Sequence, residues 1–356
     1  MKKRLETLRH EIERINLEML DLLCRRGEVV TEMRALKNEL GIPLFSPERE
    51  ERMLRELVAA NRGPYPDTAI QPVFREIFRA SLAVMEAQAE NEMRVSRGKR
   101  REDLLIAIGN LVVGREPIVV AGPCAIESEE QLEAVAAHIK AAGVTMMRGG
   151  AFKPRSSPYA FQGLGDEGLV ILQRVAKRHG LLTVTEVTDT RSVDQVARYA
   201  DVLQVGARNM ANYEILREVG RTKRPVLLKR GMAATIDELL WAAEYIVLQG
   251  NEQVILCERG IRTFERATRN TLDISAIPLL RQRTYLPVIA DVSHAAGRRD
   301  ILAALARAAL AAGAQGVMVE VHPDPPAARS DAQQQLSLEQ FTAFMSQINL
   351  TRPHAD

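Results

Sequence analysis

Eight short β-branched runs in this 356-residue chain end in groups that can do chemistry. In chain order their ends carry Cys124, Arg148, Glu186, Arg208, Lys229, Glu258 with Arg259, Asp291 with His294, and Glu320 with His322. One ionic residue at a strand end is ordinarily a solvated rim charge. Ionic groups converging from nearly every strand on one opening would repel one another unless ligands bind there, so the set reads as a site. It sorts into two chemistries. Arg148, Arg208, Lys229 and Arg259, joined by Lys153 and Arg155 of the loop FKPRSSP, form a cationic group. Guanidinium forks bind phosphate oxygens in pairs and lysine adds a compact charge, so these cations imply more than one phosphate. Ser156 and Ser157 of the same loop add hydroxyl or backbone donors. The second set is Cys124, His294, Glu320 and, beyond the last run, Asp331. A thiolate, an imidazole and two carboxylates are too hard for a structural zinc cage and too soft for magnesium. They suit one divalent manganese, iron, zinc or cobalt ion, with a position left open for a substrate oxygen. Alone, Cys124 would be a small buried hydrophobe and His294 an ordinary polar side chain; the constellation is what makes them ligands.

The elements that must position these groups follow from residue 105 onward. PIVVAGP, TMMRGG, LLTVTEV, VLQVGAR, PVLLKRG, VILCERG, PVIADVSH and GVMVEVHP alternate with helical stretches of roughly 10 to 17 residues, as parallel crossover connections require. The count predicts a closed (β/α)8 TIM barrel over 105–350, whose strand C-termini share one mouth. Ser128 with Gln131, Thr235 with Glu238 and Ser337 with Gln340 have capping-box spacing, and Gly143, Gly180 and Gly313 stand where helices should stop. LLIAIGN and LVVGRE predict a small hairpin closing the barrel base.

Residues 1–88 read instead as an all-α helical domain. Leu8, Ile12, Ile15, Met19, Leu22, Val30 and Met33 recur at helical spacing on one long first helix. Gly41, Pro43 and Pro47 break it, with Pro47 suited to the first turn of a second helix. After GPYPDT a third helix runs from about Ile70 to Glu90. So small a domain cannot cover the stripe of its own first helix, which predicts dimerisation. The polar, Arg- and Lys-rich 89–104 reads as a solvated linker. Arg26 and Lys37 occupy positions on the apolar stripe, where cations are costly unless an anion lies between them.

The formal charge of +2 is too small to suggest a nucleic-acid or membrane partner. No apolar run approaches the roughly 18 residues that span a bilayer, and MKKRLETLRH is not a signal region. Cys24, Cys124 and Cys257 are too few and scattered for a disulfide framework, so a cytoplasmic protein is expected.

The ordered motifs AGPCAIES, MRGGAFKPRSSPYAFQGLG, GARNM, LKRG, CERGIRTFE, DVSH and MVEVHPDP resemble the 3-deoxy-D-arabino-heptulosonate 7-phosphate (DAHP) synthases of type I beta over 105–350. The resemblance implies condensation of phosphoenolpyruvate with erythrose 4-phosphate, releasing phosphate. Arg148, Lys153, Arg208, Lys229 and Arg259 would surround phosphoenolpyruvate, and Arg155 and Ser156 would take the aldose phosphate. Cys124, His294, Glu320 and Asp331 would hold the metal, a Lewis acid toward the aldehyde oxygen. Lys153, Glu186 and His294 are the candidate general acids or bases, with Lys153 the first choice. KPRSS matches users of erythrose 4-phosphate; the related 3-deoxy-D-manno-octulosonate 8-phosphate synthases typically carry KANRSS. A catalytically dead sugar-phosphate sensor is the other alternative, against which the intact metal set argues.

Roughly residues 4–88 resemble the all-helical chorismate mutases. Carried over position by position, Arg9 from a partner subunit, Arg26, Lys37, Arg49, Glu50 and Ser81 match that family's binding set. Ser46 stands where an Asp is expected, and Met85 where a Gln or Glu usually hydrogen-bonds the ether oxygen of chorismate. Met85 donates no hydrogen bond and cannot favour charge on that oxygen. The domain is therefore expected to be a weak mutase, a binder of chorismate or prephenate that relays feedback inhibition, or a plain dimerisation module. A homodimer or homotetramer is expected.

Overall fold

The computed structural model describes residues 1–350 apart from positions 41, 155, 156, 158 and 349; the side chains at 38 and 86–91 are also outside the description. The chain divides into two compact units, Met1–Glu92 and Met93–Asp356.

The first unit is three helices, α1 (Lys2–Glu39), α2 (Pro47–Ala60) and α3 (Asp67–Glu92). Ser46 caps α2 by accepting the amide of Arg49, and Pro47 takes the first helical position, where no N–H is needed. The third helix starts three residues before Ile70, because the carbonyl of Pro66 already accepts the amides of Ala69 and Ile70 and acidic Asp67 suits the first turn. Val30, Leu54 and Met85 are buried, whereas Leu8, Ile12, Ile15, Met19 and Leu22 of α1 are exposed within one chain.

The second unit opens with a segment that the sequence reads as solvated and that instead packs. Met93, Val95 and Leu104 are buried. The carboxylate of Glu244 accepts the backbone N–H groups of Arg94 and Val95 at 3.0 and 3.1 Å. Asp103 pairs with Arg97 and Arg281 at 2.9 and 3.0 Å, so part of the charge that suggested a solvated tether is spent on anchoring it. An antiparallel hairpin follows, β1 (Ile106–Ile108) and β2 (Leu111–Val113). Gly109 lies against Leu182 and Gly114 against Gln315, both at strand N-termini, which puts the hairpin at the base.

The barrel then alternates β3 (Ile118–Gly122), α4 (Glu129–Ala141), β4 (Met146–Arg148), α5 (Asp166–His179), β5 (Leu182–Val187), α6 (Val193–Tyr199), β6 (Val202–Val205) and α7 (Tyr213–Arg221). It continues with β7 (Val226–Lys229), α8 (Ile236–Val247), β8 (Val254–Glu258), α9 (Ala276–Arg283), β9 (Val288–Asp291), α10 (Val292–Ala296), α11 (Leu302–Ala311), β10 (Gly316–Glu320) and α12 (Leu338–Gln347). All eight strands β3 to β10 pair in parallel and β10 closes on β3. Helices outside and packed side chains inside bury both faces, which is why the strands read as continuous apolar runs.

Two local expectations change. The helices α6, α7 and α9 have 7, 9 and 8 residues, shorter than the spacing predicts. A 3-10 turn capped by Asp189 takes the first residues before α6, and residues 259–275 are used as a loop before α9. The capping boxes of α8 and α12 are complete, but at α4 only Ser128 contributes. Gln131 turns its side chain to the carbonyl of Ala125 and the amide of Glu127, tying down the loop after β3.

At the end of β3, Gly122 has φ 151°, and a Cβ there would lie 2.0 Å from the carbonyl oxygen of Arg148. Only glycine permits that approach between the first two barrel strands.

Candidate active site

A cavity of about 150 Å³ sits at the C-terminal ends of the strands, lined by Arg148, Lys153, Glu186, Arg208, Lys229, Arg259, Arg269, His294 and Asp331 among others. Five of the cations expected in the cradle therefore share one space; Arg155 and Ser156 lie outside the described residues. Arg148, Lys229 and Arg259 are almost fully buried, while Arg208 is exposed at the rim. Glu186 enters the cavity across Gly206, where a Cβ would stand 1.9 Å from a carboxylate oxygen, so the glycine of GARNM makes room for that side chain. Glu258 does not reach the opening. It turns to Arg230 at 2.9 Å and to the amide of Gly260. His322 likewise packs aside, its Nδ1 accepting the amide of Asp324 at 3.0 Å.

At the floor, one donor atom each from Cys124, His294, Glu320 and Asp331 lies within 4.8 Å of the others. Cys124 Sγ is 3.5 Å from Asp331 Oδ2, and His294 Nε2 is 3.5 Å from Glu320 Oε1. The elements explain the convergence. Asp291 ends β9 and caps α10 by accepting the amide of His294 at 3.0 Å; its Oδ2 also accepts from His294 Nδ1 at 2.8 Å. With Nδ1 carrying the proton, the Nε2 lone pair faces the other three donors, the tautomer a metal ligand needs. Burial drives the His294 pKa down, against the pull of Asp291 and Glu320, and keeps the imidazole neutral. Burial also pushes the Cys124 thiol up to about 11, with the charge of Glu320 acting in the same direction and Lys153, 3.1 Å from Sγ, acting against it. Burial raises the Asp331 carboxyl too, but the Arg269 guanidinium outweighs it and holds it well below the usual range. A buried thiol, a neutral imidazole and two carboxylates converging at this spacing fit a first-row divalent ion.

Sequence reading placed Asp291 at a strand end without giving it a role, and missed Arg269. Asp291 pairs with Lys229 as well as His294, and joins the cationic cradle to the metal-type cluster. Its capping distance to His294 was the available signal. Arg269 donates to Asp331 Oδ2 at 3.0 Å and to Gln334 Oε1 at 2.8 Å from the loop before α9. No strand end points to it.

In the helical unit, Arg26 donates to Ser81 Oγ and its guanidinium stands 5.3 Å from the centre of the Phe78 ring. Lys37 donates to the carbonyl of Leu44 at 2.7 Å; partial burial and then the charge of Arg49 lower its pKa. Glu50 lies 3.5 Å from Arg75, and Arg9 is exposed on α1. Arg34, four residues after Val30, is buried and bonds Glu92 at 2.6 Å, a cation the sequence reading passed over.

Two family models match the chain, chorismate mutase type II over residues 8–86 and the DAHP synthetase I family over residues 91–354. The chain belongs to the DAHP synthetase I family. Its barrel unit is a DAHP synthase domain, preceded by a domain of the chorismate mutase type. A phospho-2-dehydro-3-deoxyheptonate aldolase of Thermotoga maritima is 49% identical over 255 residues, covering 71% of this chain and 75% of that protein. The crystal structure of a DAHP synthase from the same organism matches with a TM-score of 0.70 and 48% identity, covering 71% of this chain and 74% of that one. A 2-dehydro-3-deoxyphosphooctonate aldolase of Acidithiobacillus ferrooxidans is more distant, 34% identical over 60% of this chain and 81% of its own length.

Proposed function

We propose that the barrel condenses phosphoenolpyruvate with erythrose 4-phosphate and water to give DAHP and phosphate. The observation that carries this reading is one cavity lined by Arg148, Lys153, Arg208, Lys229 and Arg259, two of whose other lining groups, His294 and Asp331, belong to the Cys124–His294–Glu320–Asp331 cluster. Those four residues would hold a divalent ion, which would supply Lewis-acid polarisation of the aldehyde carbonyl of erythrose 4-phosphate. The five cations bind phosphoenolpyruvate through its phosphate and carboxylate and orient C3 toward the aldehyde carbon. Arg155 and Ser156 take the phosphate of the aldose. After C3 forms the new C–C bond, water adds at C2 and the C2–O bond to phosphate breaks, leaving the 2-keto group. Lys153 reaches Cys124 Sγ and the Cys124 carbonyl, each at 3.1 Å, beside Glu186 in the same cavity. It is the first choice for moving the proton, with Glu186 next; His294 has its Nδ1–H on Asp291 and its Nε2 turned to the other ligands. The cations stabilise the departing phosphate, so loss of one lowers turnover and not only affinity.

The helical domain is read as a binder of chorismate or prephenate through Arg26, Lys37, Arg49, Glu50 and Ser81, with Arg9 supplied by a partner subunit. It acts as a weak mutase, a feedback regulator of the barrel, or both. The exposed apolar face of α1 favours a homodimer or homotetramer. Among the described residues no helix is long and apolar enough to cross a membrane.

Phosphate release from phosphoenolpyruvate with erythrose 4-phosphate, measured with and without chelator, tests the barrel reading. Activity that requires erythrose 4-phosphate and disappears on chelation is expected. Equal or faster turnover with a five-carbon aldose phosphate, or full activity after complete metal removal, overturns it. Feedback fails if prephenate leaves the whole protein's synthase activity unchanged.

A further inference from the structure

The loop that delivers Asp331 needs explanation, because Asp331 is the one non-glycine residue with positive φ, 49°, among the described residues. Such a conformation is uncommon for a residue with a side chain and persists where its surroundings fix it. Two adjacent glutamines do so. Gln335 is fully buried; its Oε1 accepts the amide of Cys124 at 2.9 Å and its Nε2 donates to the carbonyl of Ser330 at 2.8 Å. One side chain thus spans from the backbone of one candidate ligand to the residue before another. Gln334, also buried, donates from Nε2 to Glu320 Oε2 at 2.6 Å, lies 3.4 Å from Asp331 Oδ2, and accepts from Arg269 at 2.8 Å. The backbone closes the same frame, with Gln334 donating to the Asp331 carbonyl at 3.1 Å and Leu336 to the Glu320 carbonyl at 2.8 Å.

A Gln offers one acceptor and two donors and carries no charge, so it can position a thiol-bearing backbone and two carboxylates without competing for a cation. Nearby polar loop residues do not do this: Gln333, next in line, is exposed. We propose that Gln334 and Gln335 are positioning residues of the metal centre. Gln335 sets the separation of Cys124 from Asp331, and Gln334 holds Glu320 Oε2 so that Oε1 faces the cation, while its contact at Asp331 falls on Oδ2, the oxygen that faces Cys124 and His294. The proposal rests on the assignment of Cys124, His294, Glu320 and Asp331 as the ligands.

The test is cobalt binding by metal-depleted full-length protein, with affinity from competition against a chelator and the thiolate-to-cobalt absorption band as the structural readout. Gln335→Met and Gln334→Met remove the hydrogen bonds at nearly constant volume, and Gln333→Met is the control. Each glutamine variant should bind cobalt about 10- to 100-fold more weakly, with a shifted or weakened band in Gln335→Met, while Gln333→Met matches the parent. Parent-like affinity and spectrum in folded Gln334→Met and Gln335→Met overturn the positioning role while leaving the ligand assignment intact. A parent protein without the thiolate band overturns both. Should Gln335→Met not fold, Gln334→Met decides by affinity with the same two outcomes.

Discussion

Asp291→Asn changes one atom in the barrel mouth and should alter two functions at once. The Asp291 carboxylate is fully buried, pairs with Lys229, and accepts the amide and Nδ1–H of His294 at 3.0 and 2.8 Å. Asparagine keeps one acceptor and gains an NH2 group. If that group faces His294 Nδ1, the ring must carry its proton on Nε2, which then points at Glu320 and Asp331, 3.5 and 3.8 Å away, and cannot ligate. In that position it also meets the buried Lys229 ammonium, which shares Oδ2 with His294 Nδ1; in the Oδ1 position it instead opposes the backbone N–H of His294, donor against donor. Loss of a partner that orients a metal-bound histidine costs about 10- to 100-fold in metal affinity, equivalent to roughly 1.4–2.8 kcal/mol. Removing one member of a buried pair costs about 3–5 kcal/mol of folding stability. At about 2–4 °C per kcal/mol for a domain of this size, the metal-free variant should melt roughly 6–20 °C lower. Chelator competition and thermal unfolding of metal-free protein measure the two effects separately. An Asp291→Asn protein with parent metal affinity and a parent melting point would falsify the linkage.

Three further outcomes are expected. Arg269→Ala leaves Asp331 and Gln334 without a charge-assisted donor worth about 1.5–3 kcal/mol, so chelator competition should show weaker metal binding; an unchanged affinity would sink the role given to Arg269. Met85→Gln restores a donor at a buried position of α3 and should raise chorismate-to-prephenate turnover by up to about 10²- to 10³-fold, the effect of one transition-state donor, as followed by loss of chorismate absorbance. No gain would mean that Met85 does not limit catalysis. Glu244→Leu frees the Arg94 and Val95 amides and should expose the basic stretch 94–101 to trypsin, whereas Glu244→Gln, which retains an acceptor, should stay resistant; equal cleavage of both and of the parent refutes the anchoring.

The sequence made the barrel legible because parallel strands buried on both faces leave uninterrupted apolar runs, and the mouth legible because strand C-termini share one end. Arg148, Glu186, Arg208, Lys229, Arg259 and His294 could be placed at the mouth from that rule, whereas Glu258 and His322 turn aside to partners that the rule does not show. Groups on connecting loops escaped it. Arg269, Gln334 and Gln335 sit in polar stretches whose spacing resembles that of any solvated loop; the burial of the two glutamines arises only when their loop folds inward, and Arg269 stays exposed while its guanidinium reaches Asp331 and Gln334. Asp291 was visible as a strand-end acid, but its bonds to His294 and Lys229 depend on side-chain direction, which periodicity does not encode. Residues 93–104 misled by composition: the charges of Arg97 and Asp103 that suggest solvent are paired across the surface, and the apolar anchors on either side of them, Met93, Val95 and Leu104, are too few to register as a pattern.

The close pass of Gly122 over the Arg148 carbonyl bears on how this barrel can be diversified. Saturation libraries aimed at the mouth usually treat small residues beside a ligand as free space. Here every substituent at 122 would drive β3 and β4 apart and carry Cys124 and Arg148 in opposite directions, so variants at that codon would report strand displacement rather than altered chemistry. Position 122 is best held invariant while Glu186, Arg208 and Met232, which face the cavity, are sampled.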